Sequence, residues 1–228
     1  MRNLSVAAAA VVAVCLGGAA FAGESANSSF NWSGFYAGGQ IGHSWADSDP
    51  YYDWSATERY AWSSQPNGIA VGFYSGMNFQ VSRNVVLGVE GDVAWRDQSD
   101  SGNPIYYNGA YYPGVEGYTH LNWSVGVRGR IGYAIDRLLP YVTIGVVGQN
   151  VKVGYGWDTG GNSTTETLVG LTLGAGLEYA ITSNVIARLD YRYASFDKNT
   201  TFSGDEKTTP SKIDMDTHDL FLGVAYKF

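Results

Sequence analysis

Apolar and polar positions alternate with period two along most of this 228-residue chain. In the stretch HDLFLGVAYKF, Leu220, Leu222, Val224, Tyr226 and Phe228 share one parity, and Asp219, Phe221, Gly223, Ala225 and Lys227 share the other. Successive strand side chains point to opposite faces, so the pattern predicts a strand whose two faces meet different surroundings. Eight such segments, each bounded by turn chemistry, are read at 35–45, 68–79, 85–96, 120–134, 139–149, 167–180, 185–196 and 217–228. Short connections around QVSRN, IDRL and ITSN alternate with long ones that hold most of the Pro, Asp and Asn. Short turns at one end and long loops at the other predict an all-β fold, an eight-stranded antiparallel up-and-down transmembrane β-barrel. A soluble lipocalin-like barrel has the same strand number, so the loops alone do not decide between them.

The parity of the charges decides. A soluble barrel carries its charges outside, whereas a membrane barrel must carry them inside. In VVLGVEGDVAWR the apolar positions Val85, Leu87, Val89, Val93 and Trp95 oppose Glu90, Asp92 and Arg96. In LNWSVGVRGRIGY, Leu121, Trp123, Val125, Val127, Ile131 and Tyr133 oppose Arg128 and Arg130. Glu178 opposes the run from Val169 to Tyr179, and Arg188, Asp190 and Arg192 oppose Val185, Ala187, Leu189, Tyr191 and Tyr193. With Asp219 and Lys227, five acids and six bases fall on the face that also holds the small residues. Turned inward they can pair and fill a narrow bore; an Arg or Lys facing lipid near the midplane would cost about 2–4 kcal/mol. The expected lumen charge network is Glu90, Asp92, Arg96, Arg128, Arg130, Glu178, Arg188, Asp190 and Arg192.

Aromatic residues sort into two belts on the opposite parity. Phe35, Phe79, Tyr133, Tyr179, Tyr226 and Phe228 lie by the short turns, and Trp45, Trp95, Trp123 and Tyr193 lie by the long loops. Amphipathic rings prefer the two headgroup regions of a bilayer. The last strand therefore turns its apolar face to lipid, with its aromatic end at the periplasmic interface.

The front of the chain adds a destination. Arg2, an apolar run from about Val6 to Ala20 and the triplet Ala20-Phe21-Ala22 read as a signal peptide over residues 1–22. Residues 23–33 then form a short periplasmic N-terminal segment and 34–228 the barrel domain, with the cell outer membrane as the expected location. Cys15 is the sole cysteine and leaves with the signal peptide, so no disulfide or thiolate metal site supports the rest. Without Arg2 there remain 13 bases against 21 acids, a net charge of −8 that argues against nucleic acid as a partner. Segments 46–66, 97–118, 150–166 and 197–216 hold 14 acids and 5 bases and account for that acidity. Outer-membrane lipid and lipopolysaccharide are the expected surroundings, with divalent cations able to bridge the acids to the latter.

The stretches NWSGFYAGGQIGHSW, with Trp32, Gly34, Phe35 and Tyr36, LLPYVTIGV and LGVAYKF resemble the small RopB-type outer-membrane proteins of alphaproteobacteria. These are relatives of the OmpA barrel and are often described as porin-family or surface-antigen proteins. The resemblance implies insertion by the barrel-assembly machinery, whose signal is matched by Gly223, Tyr226 and Phe228; Phe221 stands where a polar residue is usual.

Chemistry is sparse. The histidines are His43, His120 and His218, all near loop-side strand ends; His120 and Ser124 are read with the same inward parity, with Glu116 nearby. No metal spacing or phosphate loop appears, so neither a catalytic set nor a cofactor is assigned. Tyr106, Tyr107, Tyr111 and Tyr112 crowd the second long loop, where tyrosine offers broad contact area and can ligate haem iron. The expected role is a structural barrel that serves envelope integrity and presents surface-exposed loops; the alternatives are a narrow porin-like channel for small solutes and binding of haem or a host molecule through that loop. Each has a distinct readout: unchanged conductance, discrete conductance steps, or a Soret shift.

Overall fold

A computed structural model describes residues 30–55, 58–157, 160–201 and 210–228. The signal peptide assigned to residues 1–22, and the segment up to residue 29, lie outside the described residues. Among the described residues nine strands follow one another: β1 Gly34–Ser55, β2 Glu58–Ala61, β3 Asn67–Gln80, β4 Val85–Tyr107, β5 Ala110–Tyr133, β6 Leu138–Trp157, β7 Gly160–Ala180, β8 Val185–Thr201 and β9 Pro210–Lys227. All pairings are antiparallel, and β1 pairs with β3 on one side and β9 on the other, which closes the sheet into a ring of eight. The ninth strand, β2, bridges β1 and β4 beyond the end of β3.

Register fixes the shape of the ring. From Trp45 the pairing passes through His218, Tyr193, Leu173, Ile144, Gly129, Val89 and Met77 and returns to β1 at Phe35, ten residues from where it began. A stagger of that size over eight strands requires them to tilt by roughly 35–45°. The outer wall is apolar: Ile69, Phe73, Val127, Ile144, Val169, Leu171 and Leu222 are all more than half exposed. Trp45, Trp95 and Trp123 are exposed toward the long connections, and Phe35, Phe79, Tyr133, Tyr179, Tyr226 and Phe228 toward the short turns.

The structure differs from the sequence reading in two respects. The first is length. Much of what reads as long loop continues as strand, so that the tip of the second connection is a two-residue turn at Asn108 and Gly109, with φ of 49° and 81°. Asn-Gly with both residues at positive φ is the hairpin turn whose twist matches its strands. Beyond the lipid the outer face meets water and the inner face mixes Ile105 and Val115 with the polar or small Gln98, Gly117 and Thr119, so the period-two signal fades while the backbone ladder carries on.

The second is local parity in β5. Pairing with β6 jumps from Leu121↔Val151 to Ser124↔Gln149, and pairing with β4 from Trp95↔Trp123 to Gln98↔Leu121. Asn122 and Trp123 are both exposed, and the inward parity switches across them. Leu121, read from sequence as outward, is buried inside the barrel, and His120 does not share the inward face with Ser124.

Candidate functional site

Strand alternation brings the charges of β4, β5, β7 and β8 into the bore, where β1 and β6 contribute the tyrosines between them. Glu90 lies at the centre and is almost fully buried. It accepts from Tyr36 Oη at 2.8 Å and from Arg128 Nη2 and Arg188 Nη2 at 3.0 Å each. Arg130 grips Glu178 with both nitrogens, at 3.0 and 2.8 Å, and donates to Tyr36 Oη at 2.8 Å. Arg188 Nε donates to Tyr141 Oη, which itself donates to Asp190 at 2.7 Å. Asp92 lies 2.8 Å from Arg128 and accepts from Arg192 at 2.9 Å; Arg192 also reaches Asp190 and Gln40. Four carboxylates thus meet four guanidiniums in one continuous, electrically neutral layer. The guanidiniums also lie over rings, Arg130 above Tyr141 at 4.1 Å and Arg188 above Tyr74 at 4.4 Å.

Arg96 stands apart from this layer. It pairs with Asp219 at 2.5 and 2.8 Å and donates to Ser44 and Ser124, while Ser44 donates to Asp219. Of the nine charges expected in the lumen, eight therefore form one network and Arg96 forms a second with Asp219. Tyr36, Gln40, Tyr74 and Tyr141 are the members that sequence reasoning did not name. Tyr36 and Gln40 share the even parity of Gly38 and Ser44 on β1, a signal masked by the habit of assigning aromatics to the interfacial belts. Room for the tyrosines comes from glycine: a Cβ at Gly176 would lie 2.4 Å from Tyr141 Oη, and one at Gly76 would lie 2.5 Å from Tyr36 Oη.

Apolar layers flank the charges on both sides. At the short-turn end Trp32 folds into the mouth, 1% exposed, packed with Val86, Leu139, Ala180 and Ile186, and its indole donates to the carbonyl of Asp136. Toward the other end Leu121, Val151, Val153, Leu168, Phe196 and Met215 form a buried cluster. Phe221 packs against Ala70 and Ala94 beneath Arg192, so an aromatic at that position fills bore that a polar residue would leave open.

The remaining candidates are dispersed. Tyr106 and Tyr111 face each other across the β4–β5 hairpin at 6.3 Å, whereas Tyr107 and Tyr112 contact each other and Tyr60. Tyr106 pairs across with Tyr111 and Ile105 with Tyr112, so the four rings divide between the two faces of a ribbon and do not converge. Ser124 accepts from Arg96, while the His120 ring packs edge-on against Tyr118. His218 stacks on Trp45 and meets the Tyr191 hydroxyl through Nδ1. Among the described residues no cluster of His, Cys, Asp or Glu could hold a metal ion. On β9, Gly223 faces the bore with Tyr74 nearby and Tyr226 projects outward, as does Phe228 just past the strand's end.

A family model described as outer membrane protein beta-barrel domain matches residues 6–228. The chain is 31% identical over 202 residues to the 25 kDa outer-membrane immunogenic protein of Brucella abortus, covering 87% of this chain and 80% of that one. It is 33% identical over 215 residues to the 31 kDa outer-membrane immunogenic protein of Brucella melitensis (87% and 85%). It is 30% identical over 199 residues to a 22 kDa outer membrane protein of Rhizobium leguminosarum (87% and 79%). Among solved structures, the outer membrane protease OmpT of Escherichia coli aligns with a TM-score of 0.51 at 9% identity, covering 89% of this chain and 99% of that one. At such identity the likeness speaks to fold alone. An apolar outer wall, a closed antiparallel ring and these relatives agree: the chain belongs to the outer membrane protein beta-barrel domain family and is an integral protein of the bacterial outer membrane.

Proposed function

We propose that the protein is a closed structural barrel that holds extended acidic strands at the cell surface and contributes to envelope integrity, without catalysis. The observation that carries this reading is the neutral lumen layer, in which Arg128, Arg130, Arg188 and Arg192 are each engaged by carboxylates between two apolar layers. Eight-stranded barrels have interiors just wide enough for their own side chains, and here those side chains neutralise one another. The relatives' names describe surface antigens and no reaction. Export under the signal peptide at 1–22 and recognition of Gly223, Tyr226 and Phe228 by the barrel-assembly machinery belong to the same proposal, as does contact with lipopolysaccharide.

Single-channel recording of the folded protein in a planar bilayer tests it, with heat-modifiable gel migration reporting that the barrel has formed. A folded, silent barrel is the expected outcome. Reproducible conductance steps would replace this reading with the narrow channel.

A further inference from the structure

The short-turn end of the barrel carries a cavity with two unmatched charges. The β3–β4 and β5–β6 turns stand side by side on the rim, joined where Asn84 Nδ2 donates to the Ala134 carbonyl at 2.7 Å and Ala134 N donates to the Asn84 carbonyl at 2.6 Å. Beside this joint lies a cavity of about 300 Å³, lined by Phe30, Gln80, Arg83, Asn84, Ala134 and Asp136. Gln80 is occupied with bracing the rim, donating to the Arg83 carbonyl and accepting from Trp32 N. Nearby, Arg137 donates to the Ala180 and Ile181 carbonyls, and Lys227 Nζ lies over the Phe30 ring at 5.3 Å. Among the described residues, neither the Arg83 guanidinium nor the Asp136 carboxylate has an ion-pair or hydrogen-bond partner. Asp136 is held on a fixed backbone, with φ of 50° and its carbonyl accepting from the Trp32 indole at 3.2 Å. One cavity thus holds a cation and an anion apart, the complement of a dipolar ligand.

The same seam continues as an apolar groove on the lipid face. From Asn84 and Ala134 the β4–β5 ladder runs through Val85↔Tyr133 and Leu87↔Ile131 to Val89↔Gly129. Three residues past the joint, about 10 Å along the strands, begins a groove of about 650 Å³ bounded by Leu87, Ile131, Val142, Ile144 and Leu173. Gly129 makes it deep: a Cβ there would meet nothing nearer than the Ile144 carbonyl oxygen at 3.9 Å. This outward position is therefore a notch between Val89 and Ile144, which are 57% and 65% exposed. The cavity sits at headgroup depth, because Phe79 and Tyr133 flank the seam and the turns beyond them expose Val81 and Ile135.

We propose that this seam binds one phospholipid of the periplasmic leaflet whose head carries a phosphate and a primary ammonium, as phosphatidylethanolamine does. The head crosses the rim over the Asn84–Ala134 joint, its phosphate bonded to Arg83 and its ammonium to Asp136, while an acyl chain lies in the groove at Gly129. Arginine matches phosphate oxygens with a fork of donors, and an ammonium offers N–H groups to a carboxylate. A choline head has no N–H to give Asp136. A glycerol head would set its phosphate near that carboxylate with no cation of its own. The seam thus sorts lipids by head chemistry, whether or not the lumen conducts.

Native mass spectrometry of the folded protein in detergent micelles tests this, with dioleoyl lipids bearing ethanolamine, choline or glycerol heads added singly. The ethanolamine lipid is expected to bind about tenfold tighter than the other two, a difference that Asp136→Asn and Arg83→Gln each abolish. Asparagine tolerates the left-handed conformation of residue 136, so that variant should keep the heat-modifiable migration of the parent. Gly129→Leu fills the notch from the lipid side and should weaken the ethanolamine lipid roughly fivefold with both head contacts intact. Equal binding of the three lipids, an ethanolamine preference that survives Asp136→Asn, or binding unchanged in Gly129→Leu would each overturn the proposal. So would displacement of the lipid by an equal concentration of glycerophosphoethanolamine, since the cavity would then take a free soluble head and the groove would contribute nothing.

Discussion

Glu90 accepts hydrogen bonds from Tyr36, Arg128 and Arg188, so an apolar residue at this position leaves the layer one carboxylate short of its four guanidiniums, with Arg128 kept only by Asp92, and Arg188 by Tyr141. Removing one partner of a buried ion pair costs about 3–5 kcal/mol, and Glu90→Leu should lower the urea midpoint of the refolded barrel accordingly. On the opposite face Leu173→Arg, at a position 54% exposed, should cost about 2–4 kcal/mol and suppress insertion into lipid vesicles. Thr172→Ser, one residue away and inward, should insert like the parent chain, and equal insertion by both variants would sink the assigned orientation. The charges of the lumen were legible because parity is an arithmetic property of strands and only one parity tolerates charge in a membrane. Tyr36 and Tyr141 were not, because a tyrosine is as well suited to an interfacial belt as to a hydrogen bond in the bore. Which of the two it serves depends on the glycine opposite, Gly76 for Tyr36 and Gly176 for Tyr141, and that pairing is set by register.

At the level of elements, the strand segments crossing the membrane were readable and their continuations were not. Alternation is read from apolar against polar residues, and in β4 beyond Asp97 and β5 before Thr119 the buried face holds Gln98 and Gly117 as well as Ile105 and Val115, so little contrast with the outer face is left. The switch of parity at Asn122 and Trp123 leaves no trace in composition either, since Leu121 suits lipid and core equally. The β4–β5 hairpin offers a test of how far the continuation is real strand. Gly109 has φ of 81°, a conformation that costs a β-branched residue roughly 1–2 kcal/mol, so Gly109→Val should loosen the tip. Amide hydrogen exchange at Tyr106 and Tyr111 should quicken by about tenfold, while the global urea midpoint stays within error of the parent.

For the whole molecule, closure is layered, and the layers fail separately. Trp32→Ala should cost about 3–5 kcal/mol as a large-to-small core change, yet leave a planar bilayer silent, because the charged layer above still fills the bore. Conductance after that single substitution would mean that the mouth, and not the salt-bridge layer, is the barrier. The extended wall bears on recognition from outside. Asp47 and Asp216 lie side by side on β1 and β9 although 169 positions separate them in the chain, and Asp49 pairs likewise with Asp214. What the surroundings meet there is a surface assembled from both ends of the sequence. Antibodies raised against linear peptides copied from either segment should bind the denatured chain and miss the folded one, while those selected on the intact barrel should lose their epitope on boiling.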